Sequence, residues 1–426
     1  MTEPRKPFAA IRGVHDILPG ESERWQAIER AAGRLFAAFG FREIRLPVFE
    51  ATELFSRGIG EATDIVEKEM YTFTDRSGES ITLRPEGTAP AIRAFVEHHL
   101  AAAQPVTKLY YAGPMFRHER PQKGRFRQFY QIGAEAIGSA GPEADVELLS
   151  LLHLLFRQLG VLNVRLELNS LGDETCRPDY RRTLQKFLES RQSALCENCR
   201  RRTATNPLRV LDCKNESCRQ ATADAPAMTE HLCDACAGHF AALTRGLKAL
   251  DIPFTLNARL VRGLDYYSRT TFEWTSTELG AQNAVAAGGR YDGLIELLGG
   301  PPTPAIGFAL GMERLVSLLP DDVGRPAPPD LFIATLGDQA RQWAQPLLLQ
   351  LRSDGYRVET DYENASLKSQ MRRADKLGAR WICIIGDDEL KNGQVVLRNL
   401  GTKEQESLPA AQAIDALSKR LGPATT

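Results

Sequence analysis

No apolar run in this 426-residue chain approaches the ~18–20 residues needed to span a bilayer. The opening segment MTEPRKPFAAIRG has basic residues but neither an apolar core nor a small-residue cleavage pattern. The expectation is therefore a protein without an export signal, working in the cytoplasm. Charge of one sign is also missing. With 53 Lys+Arg against 54 Asp+Glu the formal net charge is −1, which argues against a generally basic nucleic-acid binder and leaves only a local basic face. Histidine is scarce, and His98, His99, His118, His153, His231 and His239 show neither two-histidine-plus-carboxylate spacing nor a Ser or Cys partner. Metalloprotease and nucleophilic-triad chemistry therefore have no foothold. Eight cysteines are too few for a disulfide scaffold at this length. Cys383, alone in the apolar run 381–385, reads as a small core residue.

What is present is ordinary globular composition, 43% hydrophobic and 25% charged, in a chain long enough for two or three domains. Trp25, Ile28, Leu35, Phe36 and Phe39 recur at helical spacing over 21–40, with Gly40 as the stop. A strand over 43–46 then runs into Pro47. Alternating or apolar runs at 81–83, 108–111, 129–133, 165–168, 270–274 and 284–287 predict an antiparallel sheet, interspersed with helices over 145–158 and 311–318. This is an α+β pattern. From 171 to 251 it gives way to short helices, arginine runs and cysteine pairs, which reads as an insertion into a core spanning 1–325. The Pro- and Asp-rich stretch 320–330 reads as a linker. Beyond it strands at 331–335, 356–360 and 381–385 alternate with helices at 338–353 and 366–377, so 330–426 is a separate, parallel α/β module.

The chemistry concentrates in 110–135. Apolar residues bracket Arg117, a basic loop follows, and a second strand-like run leads to Glu135. Read as a hairpin turning around 121–124, its two strands carry Arg117, Glu119, Gln131 and Glu135. An arginine at the foot of a mobile basic loop suits an anionic ligand, because the guanidinium fork matches phosphate oxygens. The plain alternative is a solvated basic surface hairpin. Cys196 and Cys199, with Cys233 and Cys236, have the spacing of a four-thiolate zinc site, and Cys213 with Cys218 form a third pair. Structural zinc and a set of reduced thiols are both open readings.

Phe116-Arg117-His118-Glu119 and the loop 120–127 resemble the second signature of class II aminoacyl-tRNA synthetases, and 311–315 resembles the third. With Arg84-Pro85-Glu86-Gly87-Thr88, the run 261–267 and the Gly288-Gly289-Arg290-Tyr291-Asp292-Gly293 stretch in order along the chain, the wording is similar to the histidyl-tRNA synthetase family. The resemblance covers nearly the whole chain. It implies a class II antiparallel-sheet catalytic domain with a cysteine-containing helical insertion, and a C-terminal α/β anticodon-binding domain. The implied activity is ATP-dependent conversion of L-histidine to histidyl-adenylate, with Mg²⁺, and transfer to the 3′ end of tRNA(His) by a homodimer. On this resemblance Arg117 and Arg262 are catalytic, and Arg117, Glu119 and Arg314 hold ATP. Glu86, Gly87, Thr88, Gln131, Glu135, Arg262, Tyr266 and Tyr267 hold histidine. Gln122, Lys123 and Arg125 meet tRNA, with Arg127 beside them. Arg372, Arg373 and Lys376 of the α/β module are candidate phosphate contacts, with a solvated helix face as the plainer reading. The alternative is a catalytically inactive synthetase-like regulatory subunit of ATP phosphoribosyltransferase in histidine biosynthesis, a paralogue that usually lacks the complete signatures, the insertion and the C-terminal domain.

Overall fold

The computed structural model describes residues 8–60, 63, 65–102, 104–121, 124–264, 266–280 and 283–424. The chain divides into two compact units between Arg325 and Pro326. In the first, chain order gives the strands β1 (Arg42–Glu43), β2 (Phe49–Ala51), β3 (Tyr71–Thr74), β4 (Ser80–Leu83), β5 (Thr107–Phe116), β6 (Gln128–Ile137), β7 (Arg165–Ser170), β8 (Phe254–Leu256), β9 (Ser268–Thr275), β10 (Ala284–Arg290) and β11 (Ala305–Gly311).

The central sheet has eight strands in the order β1-β5-β6-β11-β10-β9-β7-β8. It is antiparallel except where β1 lies parallel to β5 and β7 parallel to β8. Period-two alternation gives it two different faces. Ile132, Ala134 and Phe308 point to one side, where the helices Ser22–Ala38, Pro142–Gln158 and Met312–Leu318 supply Phe36, Leu152 and Leu315 to the largest core cluster. Gln131, Gly133 and Glu135 point to the other, where β6 pairs Gly133 with Tyr111 on β5 and Glu135 with Gly307 on β11. This second face is where polar side chains gather.

Ile81–Leu83, expected in the large sheet, instead lies in a separate three-stranded sheet ordered β2-β4-β3. Its partners Phe49–Ala51 and Tyr71–Thr74 are close in sequence, and alternation alone cannot say which sheet a strand joins.

The cysteine-containing insertion is built of short helices around Tyr180, Leu184, Leu188, Val210 and Met228, a cluster that also takes in Val261 and Tyr267 of the segment leading to β9. Its last helix, Asp234–Ala249, behaves differently. Phe240, Leu243 and Leu247 of that helix enter the main core, so the segment that stands apart ends near residue 233 rather than 251.

The second unit carries β12 (Leu331–Leu336), β13 (Val358–Thr360), β14 (Trp381–Gly386), β15 (Gln394–Asn399) and β16 (Gln405–Pro409), ordered β13-β12-β14-β15-β16. The first three are parallel, and the helices Asp338–Ser353 and Leu367–Lys376 connect them. The last two strands pair antiparallel, so the sheet is mixed rather than wholly parallel. Cys383 is fully buried in its core. Among the described residues no helix is long and apolar enough to cross a membrane.

Candidate active site

Glu135 sits in the C-terminal half of β6 with no solvent exposure. Its Oε1 accepts from the Thr88 hydroxyl at 2.8 Å and the Tyr111 hydroxyl at 3.0 Å, while its Oε2 accepts from the Tyr291 hydroxyl at 2.5 Å. Burial pushes its pKa up to about 8, against the pull of those hydroxyls. The chain makes room for this cluster with missing side chains. A Cβ on Gly307 would lie 1.6 Å from Glu135 Oε2, and one on Gly87 or Gly133 would lie 2.2 Å from the Tyr111 ring.

Glu86 is buried beside it and accepts the backbone N–H groups of Thr88 at 2.6 Å and Ala89 at 2.9 Å. It thereby satisfies donors at the start of the helix Thr88–Glu97 that would otherwise be orphaned. Burial raises its pKa above the ordinary carboxylate value. Gln131 shares the same face of β6, and its buried Oε1 has no hydrogen-bond partner among the described residues. Tyr266 and Tyr267 have ring centroids 4.6 Å apart, and Tyr266 meets Tyr291 edge-on at 5.7 Å. Burial raises the pKa of both residues, so they are neutral phenols at neutral pH.

A cationic group adjoins these acceptors. Arg262 is ion-paired with Glu273 and lies 5.7 Å from the Tyr267 ring centre, and its buried Nε has no partner among the described residues. Its carbonyl accepts from Arg209 of the insertion at 3.0 Å. Arg117 donates through Nε to the Pro85 carbonyl at 2.8 Å and stacks 5.2 Å from the Phe129 ring centre. Arg125 is 2.6 Å from the Glu119 carboxylate, and Arg117 is 4.0 Å from it. Arg314 reaches the carbonyls of Gly124 at 3.3 Å and Ala284 at 2.6 Å. Its pKa is lowered by burial first and by the Arg125 charge next, with Glu119 opposing. The arginines therefore share one charged neighbourhood. A cleft of about 370 Å³ lies against the hairpin loop, lined by Arg12, His118, Glu119, Arg120, Pro121 and Arg127.

Several expectations need correcting. Arg117 and Glu119 are not on a strand, because β5 ends at Phe116. Beyond it the backbone turns away, the His118 N–H donating to the Glu69 carbonyl at 2.7 Å. The two C-x-x-C pairs do not share a site. Cys196 and Cys199 lie with Cys213 and Cys218, while Cys233 and Cys236 lie with Cys176 and Asp173. Even spacing between pairs carries no information about which pair the fold turns toward which. Gln122, Lys123 and Asp265 lie outside the described residues. Tyr111 and Tyr291 complete the site through their hydroxyls on Glu135, and neither carries a sequence signal of that role. An aromatic in an alternating strand reads as core, and only the glycines facing it at 87 and 133 hinted at a constrained ring.

Taken together, the face offers acceptors for a small cationic or N–H-rich ligand, bordered by arginines suited to a carboxylate and phosphates. Residues 13–315 match the family model described as histidyl-tRNA synthetase, and residues 330–420 match the anticodon binding domain. The chain is 56% identical over 401 residues to a histidine–tRNA ligase of Syntrophotalea carbinolica, covering 94% of this chain and 96% of the relative. It is 56% identical over 413 residues to one of Trichlorobacter lovleyi, covering 96% and 98%. Among solved structures, apo histidyl-tRNA synthetase of S. aureus superposes with a TM-score of 0.81 at 37% identity, covering 96% of this chain and 100% of that one.

Proposed function

The chain belongs to the histidyl-tRNA synthetase family, and from that premise we propose that it activates L-histidine with ATP and transfers the histidyl group to the 3′ end of tRNA(His). The observation that carries the substrate choice is Glu135, buried at the centre of the sheet with three hydroxyls fixing its two oxygens. A carboxylate so held meets one ring nitrogen of the substrate imidazole and fixes its tautomer, and the Tyr267 phenol serves the other. Glu86, Thr88 and Gln131 receive the α-ammonium, with the unpartnered Gln131 Oε1 as an acceptor. Gly87 keeps the ring of Tyr111 in place by having no side chain of its own. An apolar isostere of histidine would leave these groups unpaired, which disfavours it by roughly 10⁴-fold or more.

In the activation step a carboxylate oxygen of histidine attacks the α-phosphorus of ATP, the bond to the bridging oxygen breaks, and diphosphate leaves. Two anions must meet, so positioning and cationic stabilisation do most of the catalysis. Arg262, with its Nε free and Glu273 orienting the fork, spans the carboxylate and the α-phosphate. Arg117 stabilises charge at the same phosphorus. Arg314, anchored on the Gly124 and Ala284 carbonyls, holds the γ-phosphate end, and Glu119 orders Arg125 and the loop beside the nucleotide. Magnesium takes oxygen ligands and bound water, and Glu119 and Glu273 are the carboxylates among these arginines that suit it. When bound it would offset triphosphate charge.

In the transfer step a terminal ribose hydroxyl of the tRNA attacks the adenylate carbonyl and AMP departs. Gln122, Lys123 and Arg125 in the hairpin loop take the acceptor end, and 330–426 takes the anticodon arm. The catalytic core is 1–325 with its insertion. The family resemblance supports a homodimer, and the exposed Val48, Phe49 and Phe73 around the small sheet suit burial against a second copy. The cytoplasm is the compartment where this substrate set occurs. Histidine-dependent exchange between ATP and pyrophosphate on the purified protein tests the reading. An absence of exchange from folded protein would favour the non-catalytic regulatory role.

A further inference from the structure

Cys196, Cys199, Cys213 and Cys218 bring four sulfurs within 4.8 Å of one another, and Asp173, Cys176, Cys233 and Cys236 do the same with three sulfurs and a carboxylate oxygen. We propose that these are two separate structural zinc sites, a four-thiolate site inside the insertion and a three-thiolate, one-carboxylate site at its neck.

The distances fit the ion. Tetrahedral zinc with Zn–S near ~2.3 Å sets its sulfurs roughly 3.8 Å apart, and a carboxylate oxygen stands slightly nearer to each sulfur. The Cys196 and Cys213 sulfurs are 4.0 Å apart, and Asp173 Oδ1 is 3.5 Å from the Cys176 sulfur and 3.9 Å from that of Cys233. The two C-x-x-C turns also share one backbone form. In each the first cysteine caps a helix from an extended conformation, with ψ of 161° at Cys196 and 163° at Cys233, and the second lies in the helix's first turn. Amide groups turn toward the sulfurs, Cys196 N–H donating to Cys218 Sγ at 3.1 Å and Asp173 N–H to Cys176 Sγ at 3.4 Å. That is the environment of a thiolate rather than of a buried thiol. Four mutually converging ligands also differ from disulfides, which would join the sulfurs in pairs.

The neck site has its own outer support. Three thiolates and a carboxylate leave two excess negative charges around a dication. Arg269 lies 3.3 Å from Asp173 Oδ2, offsetting that charge and leaving Oδ1 turned to the sulfurs. The consequence reaches the substrate face. Arg177, next to Cys176, donates to the Tyr267 carbonyl at 2.7 Å, and Arg209, between the two halves of the inner site, donates to the Arg262 carbonyl at 3.0 Å. Each ion thus stiffens the support of one residue proposed to hold histidine.

Elemental analysis of the full-length protein, purified reduced and without chelator, tests this. About two zinc equivalents per chain are expected. Cys213→Ser and Cys176→Ser should each leave about one, and the double variant none. On the unaltered protein, so that folding of a variant does not decide the matter, an organomercurial titration followed with a metallochromic dye should release two equivalents. Asp173→Asn, which removes the charge of one proposed ligand, should speed release of one of them and leave the other unchanged. Zinc at or below one equivalent in the unaltered protein would overturn the assignment. So would Cys213→Ser retaining full content, or Cys196→Ser and Cys233→Ser removing the same single ion.

Discussion

The Tyr291 hydroxyl donates to Glu135 Oε2 across 2.5 Å, joining the residue after β10 to the C-terminal half of β6 at a point where both side chains are buried. Of the three hydroxyls on Glu135 it is the one that leaves Oε1 to Thr88 and Tyr111 and sets the carboxylate's rotation. Tyr291→Phe should therefore raise KM for histidine by about tenfold, the upper scale of one net hydrogen bond, while KM for ATP stays near its starting value. Pyrophosphate exchange titrated in each substrate measures both.

Glu135 also predicts a pH dependence. Its folded pKa of about 8 stands above the ordinary value of 4.5, and Glu313 is likewise raised, to about 7. A raised folded pKa means the folded state holds the proton more tightly than the unfolded chain. The stabilisation is complete below about 4.5 and is lost as pH rises through 7 and 8. The Tm of the ligand-free protein should fall between pH 6 and pH 9, and Glu135→Gln should flatten part of that slope. Thermal melts across the range decide it, and an unchanged slope in Glu135→Gln would remove Glu135 as the cause.

Arg262→Lys keeps the charge and loses the fork. Adenylate formation should fall by ~10²-fold or more, the cost of a transition-state donor that no longer fits. Single-turnover activation on the folded variant checks this, and near-normal rates in Arg262→Ala would count decisively against the role.

Gly307→Ala places a Cβ 1.6 Å from Glu135 Oε2, with backbone of the neighbouring strand at 2.8 Å. The carboxylate must rotate or β11 must shift, at about 1–3 kcal/mol by the scale of core overpacking. Chemical denaturation should report that loss together with a weakened histidine response. Gly293→Ala, where nothing lies within 4 Å of the added carbon, is the control and should change little.

A protein ending at Arg325, where the two compact units divide, keeps every residue assigned to ATP and histidine. It should form histidyl-adenylate and charge tRNA poorly. Parallel measurement of exchange and charging on folded dimeric protein separates this from a merely stabilising role, under which both steps would fall together.

Much of this architecture could be read from local pattern because local pattern is what generated it. The hairpin around the basic loop follows from alternation on both sides of a Pro- and Gly-containing turn, and the linker near 320–330 from a loss of apolar residues. Gln131 and Glu135 stand out as polar residues on a strand of the basic hairpin, whereas Glu86 and Thr88 are marked only by the family resemblance. What stayed hidden depended on contacts distant in sequence. Tyr111 and Tyr291 lie 180 positions apart and meet on one carboxylate, which no window of sequence contains. The cysteines misled for the same reason. Cys176 stands alone in the sequence, and only the return of the chain at Cys233 gives it partners. The helix Asp234–Ala249 likewise looked like part of the insertion, although its apolar stripe belongs to the main core.

The parallel pairing of β7 with β8 makes that last helix a crossover between neighbouring strands. Everything between residue 171 and residue 233 then hangs from one loop of a strand–helix–strand unit whose ends are held by the sheet. Closing a loop costs only the logarithm of its length, and here the sheet has already closed it. This is accordingly a position where chain can be added, shortened or exchanged for another module, provided the replacement keeps the grip of Arg177 and Arg209 on Tyr267 and Arg262 and the apolar cover over Val261 and Tyr267.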